Sequence, residues 1–285
     1  MYADLFEFNG IKSDEVGVGY CIMNFDGFNN DGVISAGNEI TFSSSKPTNS
    51  TKWNFNGSLY ENQLTTSFQI GKLICQGNQD DHEFSRHDCA FLLRWLQRSD
   101  GYKYLRFLQD EYENTFFNCQ IKLSWVKIKG KIYGAQCDVT CDAPFGYSEP
   151  KTYEVSCNSG DTFIIYDDSD RMGSIYFDET NINIKEDISE FRLTNSMDAL
   201  YSPTIEYITK IKNCKNGEFI TIANNTIRST SEGLHSKGNI NNDFNFKYPR
   251  LINTSDLNEL RRNEYTVNGK CDLSFSYRTI RSVMP

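Results

Sequence analysis

The alternation of apolar and polar positions changes character along the chain, and each change predicts an element. Leu5, Phe6 and Phe8 lead into the turn signal Asn9-Gly10-Ile11. Val16-Gly17-Val18-Gly19-Tyr20-Cys21-Ile22 reads as a glycine-relieved strand. Residues 24–51 are rich in Asn, Asp, Gly, Ser and Thr, with a break at Lys46-Pro47, which predicts a loop or a long protruding hairpin. Strand character resumes at Thr51-Lys52-Trp53-Asn54-Phe55, with Trp53 and Phe55 on one side and Thr65–Ile70 as the hairpin partner. One helix is predicted from Arg86 to Ser99. Ser85 suits its N-cap, and Asp88 stands where a capping-box acid reaches back. Cys89, Leu92, Leu93 and Leu96 follow the spacing of a buried helical face, with Phe91 and Trp95 as an adjacent apolar row. Asp100-Gly101 supplies the stop, the glycine suiting a left-handed position.

Three strands follow. Tyr104–Phe107 is short, whereas Phe116–Lys129 and Lys131–Cys141 are long and pair through Lys129-Gly130-Lys131. The stretch from Cys137 to Tyr147 ends its strand at Pro144, which lacks a backbone donor. Phe145 and Tyr147 are then expected to pin the start of a second domain. Beyond Ser148-Glu149-Pro150 no comparable helix is predicted. Strands are expected at Tyr153–Val155, Phe163–Tyr166, Ser174–Phe177, Phe191–Leu193, Thr204–Ile208, Glu218–Ile222, Asp243–Phe246 and Asp272–Tyr277. Short strands recurring about every 8 to 12 residues predict a β-sandwich. Two domains are expected, 1–147 and 148–285, and 285 residues are ample for both to bury a core.

Composition sharpens this picture. Aromatics make up 14% of the chain, with 20 Phe and 16 Tyr, which favours pleated, half-buried surfaces. The net charge of −9, without a basic run, argues against nucleic-acid binding. No apolar run approaches the ~18 residues of a membrane span. The first residues lack the basic and apolar regions of a secretory signal, so the nine cysteines are expected as free thiols in a reducing cytosol. Cys137 and Cys141 share a strand face about 13 Å apart at ~3.3 Å per residue, too far for one metal ion. With no Cys-x-x-Cys present, the cysteines read as small core hydrophobes.

The order of elements resembles the distal tail proteins of bacteriophages with long, non-contractile tails. The resemblance is carried by Phe6-Glu7-Phe8-Asn9-Gly10, by Phe91-Leu92-Leu93-Arg94-Trp95-Leu96 followed by Tyr104-Leu105-Arg106-Phe107, and most strongly by Cys137 to Tyr147. It continues more loosely through Ser202–Glu206, Gly217–Asn224, Tyr248–Leu251, Asn263–Gly269 and Asp272–Arg278. Residues 24–51 and the acidic patch near Asp168 match no pattern of that family. The resemblance implies a mainly β protein: an N-terminal β-barrel or sandwich-like domain with one α-helix, then a galectin-like β-sandwich. It further implies a structural role at the virion tail tip, assembled in the bacterial host cytoplasm. The N-terminal domains would form a ring, usually hexameric, joining the tail tube protein to tail-associated, tail-fibre or receptor-binding proteins. Host cell-wall glycans are a further partner that such a sandwich could meet.

Candidate chemistry is thin. His82-Glu83-Phe84-Ser85-Arg86-His87 looks like a zinc protease motif, but its histidines stand five apart, about 140° around a helix at ~100° per residue. Asp168, Asp170, Gly173, Ile175 and Glu179 fit positions of a calcium-loop template, yet Met172 occupies a ligand position and both flanks read as strands. An acidic turn with Gly173 at positive φ is the simpler reading. With three histidines, His82, His87 and His235, few bases exist for a nucleophile, and Gly-x-Ser-x-Gly is absent. No catalytic, cofactor-binding or metal residue is therefore assigned, and no enzyme is expected. The alternative is a host-surface carbohydrate-binding protein, with Tyr201, Tyr207, Tyr248 and Tyr265 as stacking platforms.

Overall fold

The computed structural model describes residues 5–23, 40–46, 54–60, 63–73, 79–109, 114–201, 206–231, 233–254 and 261–282. The chain divides into two units, residues 1–147 with 282–285, and residues 148–281. The fold is mainly β throughout.

The first unit contains β1 (Phe6–Phe8), β2 (Ile11–Lys12), β3 (Tyr20–Met23), β4 (Ile40–Ser45), β5 (Asn54–Tyr60), β6 (Thr65–Lys72), helix α1 (Arg86–Leu96), β7 (Lys103–Phe107), β8 (Phe116–Ile128), β9 (Lys131–Cys141) and β10 (Gly146–Tyr147). Its main sheet is antiparallel in the order β2-β1-β7-β8-β9-β6-β3. Two tight turns follow from local sequence. Asn9 and Gly10 (φ 53° and 76°) join β1 to β2, and Lys129 and Gly130 (φ 50° and 85°) join β8 to β9. Both central residues are left-handed, as a hairpin turn matching strand twist requires.

The sheet curls on itself. Phe6 on β1 and Phe68 on β6 stand four strand steps apart, about 19 Å in a flat sheet at ~4.8 Å per step. Their ring centroids are nevertheless 5.3 Å apart. Helix α1 covers the same face, with Trp95 stacked on Phe6 at 5.6 Å. Ser85 Oγ accepts from the Asp88 amide while the Asp88 carboxylate accepts from the Ser85 amide, so the predicted capping box forms.

Several expectations change. The helix stops at Leu96 rather than Ser99, because Gln97 turns out of it and its Oε1 accepts from the Leu123 amide of β8 at 3.1 Å. Gly101 (φ 107°) serves the turn before β7 instead of ending the helix. The buried face is Asp88, Leu92, Trp95 and Leu96, and Leu93 lies exposed. Gly17 and Gly19 take positive φ, so the strand expected over 16–22 begins only at Tyr20. β5 pairs with β4, not with β6, which lies between β9 and β3. Trp53 and most of 24–51 lie outside the described residues.

The second unit contains β11 (Lys151–Cys157), β12 (Thr162–Asp167), β13 (Gly173–Tyr176), β14 (Glu179–Ile184), β15 (Ile188–Asn195), helix α2 (Ser196–Tyr201), β16 (Ile208–Cys214), β17 (Phe219–Ala223), β18 (Thr226–Ser229), β19 (Arg250–Asn253), β20 (Arg261–Asn268) and β21 (Cys271–Tyr277). One sheet runs β11-β21-β14-β17-β18 and a second β12-β20-β15-β16, while β13 pairs with β19. Alternate residues of both sheets point inward. Ile182, Ile220, Leu273 and Phe275 of the first join Phe163, Phe191, Leu193 and Val267 of the second in one buried cluster, which makes the unit a β-sandwich.

Here too the details differ. The strand expected at Thr204–Ile208 starts at Ile208, residues 202–205 lying outside the described set. Asp243–Phe246 forms no strand. Phe244 makes a single bridge to Ile211, flanked by the backbone bonds Lys212 N to Asp243 O and Asn245 N to Lys210 O. Beyond it the Asn245 side chain takes over, accepting from Lys210 N at 3.1 Å and donating to Ile208 O at 2.7 Å. Phe246 at φ 55° breaks the extended run. Strands β14, β18, β19 and β20 were not anticipated.

Candidate functional site

The outward face of the five-stranded sheet carries an open, shallow groove. It measures about 460 Å³ and is lined by Glu154, Val155, Ser156, Asn181, Asn183, Phe219, Asp272, Leu273 and Ser274. Strand register explains the composition. With period-two alternation, every second residue of β11, β21, β14 and β17 faces out. Pairing aligns Ser156, Asp272, Asn183 and Phe219 in one row and Glu154, Ser274, Asn181 and Thr221 in the next. Some of these groups hold one another: Ser156 Oγ donates to Asp272 at 2.7 Å, Thr221 Oγ1 to Asn181 Oδ1 at 2.8 Å, and Asn181 Nδ2 to Glu179 at 2.5 Å. Lys185 pairs with Asp272 at 2.8 Å, and with Ser156 it holds that carboxyl below its usual range. Glu154, Asn183 and Ser274 make no side-chain hydrogen bond among the described residues, and Phe219 is exposed.

Of the tyrosines expected as stacking platforms, Tyr207, Tyr248 and Tyr265 are engaged within the unit. Tyr265 is fully buried, its hydroxyl donating to Arg250 O at 2.7 Å and its ring stacked on Phe163 at 5.1 Å. Burial pushes its hydroxyl pKa well up. Tyr207 lies under the Arg250 guanidinium, 3.7 Å from its ring centroid, and donates to Tyr248 O. Arg250 donates Nε and Nη2 to Asp198 Oδ1 at 2.9 and 2.7 Å. A cavity of about 10 Å³ remains between these groups, room for about one water. Tyr248 donates to Asn225 O at 2.7 Å and packs edge-on against Phe244. The Tyr201 side chain lies outside the described residues.

The acidic turn has its charges answered. Burial would raise the Asp168 carboxyl, but Lys151 at 2.7 Å and Arg281 at 2.9 Å hold it well below the usual range. Arg281 also reaches Asp170 at 3.7 Å. Gly173 takes φ 139°, Met172 is exposed, and Glu179 engages Asn181. The calcium-template residues are thus spread over a turn and two strands. His87 is exposed, His82 ends a 3-10 turn, and Glu83 pairs with Lys131 at 2.6 Å, so the zinc-like motif does not converge. No group of three or more potential metal ligands occurs among the described residues. No described helix is long and apolar enough to cross a membrane.

One cluster escaped the sequence reading. His235 is buried with Nδ1 2.6 Å from Glu218 and Nε2 3.2 Å from Asp243. Glu218 also accepts from Ser229 and from the Lys215 amide. The cluster is buried at His235 and Glu218 and ties the residue before β17 and the end of β18 to the segment after them. Its members all fall within residues 215–243, but their spacing follows no helix or strand period and matches no motif.

The cysteines Cys119, Cys137, Cys141, Cys157, Cys214 and Cys271 are buried free thiols, and burial raises the pKa of each. The end of β9 is also more local than expected. After Cys141 the chain bends through Pro144 and returns to the same neighbour, Tyr147 pairing with Phe116 of β8. Tyr147 donates to Asp142 at 3.2 Å and meets Tyr104 and Phe145 edge-on. Phe145 and Tyr147 thus pack at the end of the first unit.

Comparison with known proteins matches nearly the whole chain. A family described as a phage tail protein N-terminal domain matches residues 1–143, and one described as a phage tail C-terminal domain matches residues 145–277. No curated protein matches. Among solved structures, the Dit protein of phage SPP1, described as a paradigm of the hub adsorption apparatus in phages infecting Gram-positive bacteria, is similar at 8% identity. The likeness has a TM-score of 0.58 and covers 97% of this chain and 99% of that one. The chain belongs to the phage tail protein family that these N- and C-terminal domains define.

Proposed function

We propose that the protein is a non-enzymatic hub component of the phage tail tip. In this reading the first unit assembles into a ring, six copies being the expected number, against the tail tube protein. The second unit carries or docks tail-associated, tail-fibre or receptor-binding proteins. The observation that carries it is the two-domain match joined to a fold likeness that extends over nearly all of both chains. The first unit offers suitable material. Among the described residues its sheet order ends at β2 and β3, and β4 and β5 form a separate antiparallel pair, so strand edges are on offer to a neighbouring copy. A head-to-tail ring contact needs roughly 1,000 Å² of buried surface in total. The rest of the polar stretch 24–51, expected to clasp a neighbour, lies outside the described residues.

Gold-labelled antibody against this chain tests the placement in electron micrographs of whole virions. Label at the tail tip supports the reading, and label confined to heads or absent from particles contradicts it. A second reading, that the sandwich unit recognises host-surface carbohydrate, is favoured by the polar groove on its sheet face rather than by the tyrosines first expected to serve it.

A further inference from the structure

We infer that the groove on the β11-β21-β14-β17 face binds a neutral carbohydrate chain, with Asn183 and Glu154 engaging hydroxyls and Phe219 stacking against a sugar ring. This rests on the second reading above and gives it a site and a ligand chemistry.

Charge narrows the ligand first. The lining holds two carboxylates, Glu154 and Asp272, and no Lys or Arg. Lys185, the cation that reaches the lining, is committed to Asp272, and the exposed Arg228 of β18 stands outside it, across from Thr221. A phosphate- or carboxylate-bearing polymer would meet two like charges in the lining, with Lys185 already paired and the Arg228 guanidinium one strand beyond. A neutral polyol meets carboxylate and amide oxygens that accept from its hydroxyls, and amide and serine groups that donate to them.

Apolar content narrows it further. A protein-binding patch places several aromatic or aliphatic side chains at its centre. Here Phe219 is the one exposed large apolar group in the lining, and it stands at the β17 end of a polar row. A single aromatic beside hydrogen-bonding rows suits a ring with one C–H face and a rim of hydroxyls. The rows cross four strands, about 14 Å at ~4.8 Å per step, enough for a short oligosaccharide.

The side chains are partly preorganised. Asn181 is fixed between Thr221 and Glu179, and Asp272 between Ser156 and Lys185, so little ordering is left for binding to supply. Glu154, Asn183 and Ser274, adjoining across the register, keep their hydrogen-bonding capacity for a ligand.

The test applies the full-length protein, its mass recorded in the same buffer, to an array of neutral hexose and N-acetylhexosamine oligosaccharides, with phosphorylated glycans alongside. Wild type is compared with Asn183→Ala, Phe219→Ala and the more conservative Phe219→Tyr, each checked for native circular dichroism and thermal unfolding. The inference predicts binding to at least one neutral glycan, a loss of about tenfold or more in Asn183→Ala and Phe219→Ala, and retention in Phe219→Tyr. Neutral-glycan binding that these substitutions leave unchanged overturns the groove while sparing a carbohydrate role for the unit. Binding to phosphorylated glycans alone overturns the chemistry assigned, and no glycan binding by folded protein overturns both. The recorded mass reports on the ring independently of each outcome.

Discussion

Lys72 of β6 and Asp88 of helix α1 form an ion pair with Nζ 2.9 Å from Oδ2, the two side chains only 10% and 12% exposed. Lys72 also donates to Glu83 O at 2.7 Å, and the same Asp88 oxygen accepts from Ser85. One carboxylate thus closes the capping box, neutralises a buried ammonium and fixes the helix against the curled sheet.

Removing that carboxylate strands the ammonium and opens the helix end together. Asp88→Ala is expected to cost about 3 kcal/mol, the range for breaking a buried pair. Hydrogen exchange should show faster opening of α1 amides with second-unit amides unchanged. Protection equal to wild type in α1 would contradict the role.

Acid should act through the same group. Burial would raise the Asp88 carboxyl, but Lys72 and Ser85 outweigh it and hold the pKa below the usual value. Its folded pKa lies under the unfolded ~3.9, so its contribution is present above that value and fades as pH falls through the folded one. Thermal unfolding followed from pH 6 down to pH 2 should show a loss of stability in wild type that is smaller in Asp88→Asn.

The opposite sign is expected at Asp167. Burial raises its carboxyl, although Ser169 donates to Oδ1 from both its amide and its hydroxyl, and Oδ2 is sealed without a partner among the described residues. The folded state then holds a proton that the unfolded state has lost, so stability declines as pH rises through the window above ~3.9. Relative to wild type, Asp167→Asn should gain unfolding temperature between pH 4 and pH 7. A difference that stays flat across that range would contradict the assignment.

How much of this was readable beforehand depends on the range of each interaction. The Ser85–Asp88 box and the Asn9-Gly10 and Lys129-Gly130 turns are set within four residues, and their sequences announce them. Leu93 shows where helical spacing is not enough, since two overlapping apolar rows fit the pattern and only the sheet decides which is buried. β14 was missed because its outward asparagines, Asn181 and Asn183, resemble a turn, while Thr180, Ile182 and Ile184 fill the core. Those same asparagines join Asp272 and Phe219 only through pairing register, which composition does not carry. The groove was invisible for that reason, and the stacking platforms expected of a galectin-like sandwich included Tyr207 and Tyr265, which are spent on packing.

The second unit's core depends on an amide that imitates a strand. Asn263 Oδ1 accepts from Ile252 N at 2.8 Å, its Nδ2 donates to Ile252 O at 3.0 Å, and Oδ1 also accepts from Asn195 Nδ2 at 2.8 Å. Asn263→Leu leaves these buried groups unpaired and is expected to cost about 3 kcal/mol. Thermal unfolding should register it, and an unchanged transition would show that the amide is dispensable.

Thiol chemistry offers a probe of both cores. Burial carries the Cys141, Cys214 and Cys271 thiols up to about 12, so little thiolate exists at neutral pH. Iodoacetamide at pH 8 should leave these three unmodified in native protein and label them after denaturation, read by peptide mass spectrometry. Labelling of Cys141 at the rate of an exposed thiol would contradict the packing around the end of β9.

The central claim is that this chain builds the hub of a phage tail by joining copies of itself. The most direct measurement is the mass of the purified full-length protein by light scattering over a range of concentrations. The account predicts a closed oligomer at a fixed multiple of 32.8 kDa, six being the expected number, seen as rings in negative stain. A particle that stays at 32.8 kDa throughout and fails to join tails when added to an assembly extract would contradict it.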